Sequence, residues 1–142
     1  MDPTSESLSR FVEAQAAVYE AVRCELAAGQ KASHWMWFVF PQLRSLGRSS
    51  TARYFGLSGK AEALAYWQHP LLGARLKQCC ELLLAVDGRS ALEIFGSTDA
   101  MKLRSSMTLF ATTAPEPTIF SAVLQKYCDG ESDAATLALL GH

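Results

Sequence analysis

The residues best placed to do chemistry are gathered in Ser33-His34-Trp35-Met36-Trp37-Phe38-Val39-Phe40-Pro41-Gln42. Two of the three tryptophans and two of the seven phenylalanines of the chain fall in this run. An aromatic run is ordinarily core. Tryptophan, however, is rarely buried completely, because its indole N–H needs a partner. With His34 and Gln42 flanking the rings, the stretch offers the parts of a cleft wall: flat apolar faces on Trp35, Trp37 and Phe40, with polar tips at the mouth. Such a wall stacks an aromatic ligand, and His34 beside it is a candidate proton-transfer group.

Just downstream, Leu46-Gly47-Arg48-Ser49-Ser50-Thr51 combines a glycine, a planar guanidinium and three hydroxyls ahead of a short helical turn. Free N–H groups, a charged fork and hydroxyls together make an anion seat, so Arg48 and Ser49 are candidate phosphate contacts. The G-x-x-x-x-G-K spacing of a Walker loop is missing. A second polar concentration, Lys102, Ser105 and Ser106, lies on a helix opposite Leu103, Met107 and Phe110. Adjacent hydroxyls inside a helix are unfavourable for propensity, which makes Lys102 and Ser105 further ligand candidates. The carboxylates Glu62, Glu93 and Asp99 are scattered, and Glu62 is the one retained as a candidate acid or base. Cys24, Cys79, Cys80 and Cys128 lack a C-x-x-C spacing and read as reduced thiols, so neither a metal nor a cofactor is expected.

The elements that must position these groups read as helices. Leu8, Phe11, Val12, Gln15, Tyr19, Val22 and Leu26 recur at helical steps, predicting one helix from about Leu8 to Ala28, stopped by Gly29. Ser33 is placed to cap one or two turns of the aromatic run, which Pro41 ends. A short turn over Thr51 to Phe55 follows. Ser58 then caps a helix from Gly59 to Gln68. His69-Pro70 breaks it, and the next helix carries Leu72, Leu76, Cys79, Leu83 and Val86. Ser90-Ala91-Leu92-Glu93 is a capping box. Helices after Ser97, after Thr118 and after Ser132 or Asp133 complete the chain. No segment alternates with period two for long enough to be a strand. The expectation is an all-α, compact single domain over 1–142, with about five main helices, short turns and a flexible tail over residues 1–7.

Composition bounds the partners. A chain of 142 residues fits one domain with a real core. Its net charge of −1 argues against a nucleic-acid polymer or a polybasic membrane surface as partner. The N-terminus lacks the pattern of a secretory signal, and Trp35 to Phe40, the longest apolar run, is too short to span a bilayer, so a cytoplasmic location is expected.

Taken together, His34 to Gln42, Leu46 to Ser49, Ala63 to Pro70, Ile94-Phe95-Gly96 and Lys102 to Phe110 resemble the mainly bacterial domain-of-unknown-function family eighteen-ten, whose members are often labelled calpastatin. The resemblance runs from about Leu8 to Leu140. It implies a mainly helical single domain and brings no established activity. Calpastatins are long disordered inhibitors, whereas a chain that is 49% hydrophobic with helical stripes folds compactly. Trp37, Phe40 and Pro41 followed by Glu62 also resemble, in order, helical N-glycosidases acting on riboflavin-pathway intermediates and ADP-ribose-like compounds. Two functions follow as expectations. One is a pocket for a small phosphorylated, nucleotide-like or ADP-ribose-like ligand, with glycosidic hydrolysis through His34 or Glu62 if it is an enzyme. The other is a non-catalytic protein-interaction domain that uses the aromatic patch.

Overall fold

The computed structural model describes residues 3–141. Among them ten α-helices form, rather than about five, and no strand does. They are α1 Pro3–Ala16, α2 Tyr19–Ala28, α3 Met36–Val39, α4 Ser50–Tyr54, α5 Lys60–Gln68, α6 Leu72–Ala85, α7 Ala91–Phe95, α8 Ser97–Thr113, α9 Thr118–Cys128 and α10 Ala134–Leu139, with a 3₁₀ turn at Arg44–Leu46. Residues 3–7, expected as tail, are helical, and residues 1 and 2 lie outside the described residues. Among the described residues no helix is long and apolar enough to cross a membrane.

The helix expected from Leu8 to Ala28 divides at Ala17–Val18 into α1 and α2. Its halves serve different neighbours: α1 packs on α3 and α5, and α2 packs on α6. Gln15, at a stripe position otherwise apolar, marks the division. Its buried amide donates to the Phe38 carbonyl (2.7 Å) and the Tyr66 hydroxyl (3.0 Å), while its oxygen accepts from Arg75 (3.3 Å). One side chain thus ties α1 to α3, α5 and α6. Gly29 ends α2 in the left-handed conformation (φ 70°), as its position predicts.

Helix α8 is the centre of the bundle and packs on α5, α7, α9 and α10. The face expected to be polar is largely buried, including Ser105, Ser106 and Leu109. The helix tolerates most of its hydroxyls because Ser105, Thr108, Thr112 and Thr113 donate back to carbonyls four residues earlier, while the Ser106 hydroxyl has no partner among the described residues. Two caps differ from expectation. Ser33 does not cap α3, and Ser58 supplies its N–H to Glu62 rather than a side-chain cap to α5. The capping box at Ser90–Glu93 forms in full.

Two close approaches shape the fold. The Leu43–Leu57 parallel bridge, closed by Arg44 N–H to Leu57 O (2.8 Å) and Leu57 N–H to Gln42 O (2.9 Å), folds the 42–57 segment back on itself. A Cβ on Gly56 would stand 2.3 Å from Arg44 Cα, so only glycine fits there. At the α5–α6 junction His69 Nδ1 accepts from Leu71 N–H (3.1 Å) and Leu72 N–H (3.2 Å), starting α6 tightly after Pro70. A Cβ on Gly73 would stand 2.0 Å from the Trp67 carbonyl oxygen. Alanine in a helix is intrinsically better than glycine by about 1 kcal/mol. Overpacking against rigid backbone costs about 1–3 kcal/mol or more, and at 2.0 Å the clash prevails. Gly73→Ala is therefore expected to lower the urea midpoint. An unchanged or raised midpoint would show that α5 and α6 stand further apart.

Candidate functional site

A cleft of about 530 Å³ opens between the 42–52 segment and the outer face of α8, and is closed off by the start of α10. The folded-back segment contributes Gln42, Leu46, Arg48, Ser49 and Ala52. Helix α8 contributes Thr98, Met101, Lys102 and Ser105, which fall on one face at helical spacing. Asp133, the N-cap of α10, and Ala135 in its first turn complete the lining. Gln42, Arg48, Ser49, Lys102 and Ser105, picked from sequence as ligand contacts, are brought together here from two separate stretches of the chain. Leu46, Ala52 and Met101, the last 72% exposed, form its apolar surface.

The polar groups differ in how far their bonding capacity is spent. Ser49 Oγ accepts the Ala52 N–H (3.1 Å) and caps α4. Ser105 Oγ donates to the Met101 carbonyl (3.2 Å). Lys102 pairs with Asp99 (3.7 Å) and lies 5.1 Å from the Trp37 ring centre, a cation–π contact. Arg48 is exposed and makes no hydrogen bond or ion pair among the described residues.

The aromatic stretch takes a different role from the one expected. Trp35 and Phe40 are each 1% exposed and belong to the core together with Phe38, so they form neither a cleft wall nor a docking patch. Trp37 is half-buried and reaches the cleft only by supporting Lys102. His34 is exposed and tilted against Trp37, 6.5 Å between ring centres, outside the cleft lining. Asp99 links the two tryptophans indirectly: it pairs with Lys102 and with Lys31 (2.9 Å), and Lys31 lies 5.1 Å from the Trp35 ring centre.

Glu62 is also away from the cleft. Its buried carboxylate accepts from Ser7 Oγ (2.5 Å) and Ser58 N–H (2.9 Å) and pairs with Arg10 (3.4 Å). Burial pushes its pKa up, but the Ser7, Ser58 and Arg10 contacts outweigh burial and hold it below the usual value. Such a carboxylate stays ionised and anchors α1 to α5, rather than serving as a proton donor.

Glu25 was not legible as a special residue. Its carboxylate accepts from Ala32 N–H (2.7 Å), Ser33 N–H (3.0 Å), Ser33 Oγ (2.5 Å) and Trp35 Nε1 (2.9 Å). This group takes Ser33 away from the α3 cap and supplies the partner that the buried indole requires. The need for a Trp35 acceptor was readable from the sequence, but its source was not. Thr98, Met101 and Asp133 were likewise missed as cleft residues, since neither a helix face nor a cap position signals which cavity it borders.

The chain belongs to the DUF1810 family of proteins of unknown function, whose profile matches residues 5–140. It is similar to the crystal structure of the conserved hypothetical protein Rv1873 from Mycobacterium tuberculosis, at 54% identity over 99% of each chain and a TM-score of 0.96. A comparison with curated proteins gave no match.

Proposed function

We propose that the protein binds a small phosphorylated ligand in the cleft between the 42–52 segment and α8. The observation that carries this reading is Arg48, a guanidinium at the cleft with no partner among the described residues. A planar donor fork left unpaired beside Lys102, above an apolar surface, suits an anionic group joined to an apolar body. Neither His34 nor Glu62 borders the cleft, so the reading is one of binding with no reaction assigned to it.

A thermal-shift screen against nucleotides, nucleotide-sugars and sugar phosphates tests it. A ligand at a hundred times its Kd adds about 2.7 kcal/mol of stability. For the best phosphorylated hit, Arg48→Ala should weaken binding at least tenfold, since a charged hydrogen bond is worth about 1.5–3 kcal/mol. Without ligand the variant should change stability by no more than about 0.5 kcal/mol, as expected at an exposed position. Unchanged affinity in Arg48→Ala would refute the phosphate site.

A further inference from the structure

The cleft holds a second group with unspent capacity, and its charge is opposite. Asp133 caps α10 through one oxygen only: Oδ2 accepts both the Thr136 N–H (2.9 Å) and the Thr136 hydroxyl (2.6 Å). Its Oδ1 has no hydrogen-bond partner among the described residues, and Asp133 forms no ion pair, although Arg48 and Lys102 border the same cleft. The backbone of Asp133 is itself fixed, its N–H donating to Thr108 Oγ1 (2.9 Å) on α8. A rigidly held acceptor and an unpaired cation therefore share one cleft without neutralising each other. The side-chain amide of Gln42 makes no hydrogen bond among the described residues either.

This arrangement selects among phosphorylated ligands. A ligand that placed an anionic group against Asp133 would be repelled by it. One bearing an ammonium group would meet Arg48 and Lys102. A hydroxyl is neutral and donates to a carboxylate, and a neighbouring hydroxyl can bond an amide such as that of Gln42. We infer that Asp133 is a specificity-determining residue, reading the hydroxyls of a phosphorylated sugar such as a ribose phosphate, with a base or other apolar group on Met101, Leu46 and Ala52. The inference rests on the phosphate-binding reading of the same cleft and adds the class of ligand.

The test uses the full chain, with adenosine 5′-monophosphate and its 2′,3′-dideoxy analogue as probes in calorimetric titration. The natural protein should bind the ribose compound about tenfold or more tightly than the dideoxy compound, as a charged hydrogen bond implies. Asp133→Asn is the informative variant, because asparagine caps helices as well as aspartate does and should leave the melting temperature in place. Its amide would replace the charge-assisted hydrogen bond by a neutral one, and preference for the ribose compound should fall several-fold. Arg48→Ala should instead weaken both compounds alike. Equal binding of the two compounds by the natural protein, or a preference kept in Asp133→Asn, overturns the role of Asp133 and leaves the phosphate reading standing. Binding undiminished in Arg48→Ala overturns the phosphate reading and this inference with it. Failure of both compounds to bind at millimolar concentration overturns this inference and leaves the phosphate reading to the screen of phosphorylated compounds.

Discussion

Trp35→Ala is expected to remove about 3–5 kcal/mol of stability, the range for deleting a buried tryptophan. The side chain is 1% exposed and packs toward Phe40, with ring centres 6.3 Å apart. Its one polar atom is already bonded to Glu25 (2.9 Å), so burial carries no unsatisfied N–H. A domain of this kind holds about 5–15 kcal/mol in total, so the variant approaches the limit of folding. Trp35→Phe separates the two contributions, keeping most of the apolar contact while removing the N–H, and should cost about 1–2 kcal/mol. Trp37→Ala is the control: its ring is half-buried, and its loss should cost less than that of Trp35. Urea unfolding of the three variants gives the comparison. If Trp35→Ala costs no more than Trp37→Ala, the assignment of Trp35 to the core and Trp37 to the cleft margin is reversed.

The contrast between these neighbours shows where sequence reasoning stops. Density of aromatic residues marked the stretch correctly as an organising element, but density does not say which ring turns inward. In a four-residue helix such as α3, a rotation of one residue, about 100°, exchanges core for surface. That rotation is set by contacts remote in the chain: Gln15 on the Phe38 carbonyl, Glu25 on the Trp35 indole and Lys102 on the Trp37 face. Helical periodicity reports the character of a face and not its partner.

The same limit explains the helix count. The stripe from Leu8 to Leu26 is continuous because both α1 and α2 have an apolar face, and the pattern passes through the break without changing period. What bends the chain is the demand of two different neighbours. Short elements were legible where they carry their own chemistry, as with the Ser90–Glu93 box or Gly29. Along α8 the error ran the other way. Its hydroxyls suggested a solvated face, but Ser105, Thr108, Thr112 and Thr113 satisfy theirs on the helix backbone, and of the buried ones only the Ser106 hydroxyl lacks a partner among the described residues, so a serine-rich helix can stand at the centre of the bundle. The cleft was legible in part for a local reason. Arg48 and Ser49 sit in a segment without compensating acids, and Lys102 and Ser105 lie three apart on one helix face. Their meeting depends on the Leu43–Leu57 bridge, which no local pattern announces.

Glu25→Ala is expected to cost about 1–2 kcal/mol, because four donors lose a charged acceptor at a half-exposed position where water replaces part of it. The effect has a pH signature. Burial pushes the Glu25 carboxyl up, but hydrogen bonds from Ser33 Oγ, Ala32 N–H, Trp35 Nε1 and Ser33 N–H outweigh burial and bring the pKa down from 4.5 to about 2. A carboxyl with a folded-state pKa below its unfolded value stabilises fully above the unfolded pKa, and that contribution is lost as pH falls toward the folded one. The stability gap between the natural protein and Glu25→Gln should therefore be constant from pH 7 down to about 5 and then close progressively toward pH 2. Glu62 is depressed as well, yet it is present in both proteins and cancels in the difference. Because Glu25 and Trp35 share one hydrogen bond, their losses should not add. The double variant Glu25→Gln/Trp35→Phe should be more stable than the sum of the single costs implies, by about 0.5–3 kcal/mol. Strict additivity together with a gap that does not change between pH 5 and pH 2 would show that Glu25 does not hold the indole, leaving Trp35 in the core through apolar packing alone.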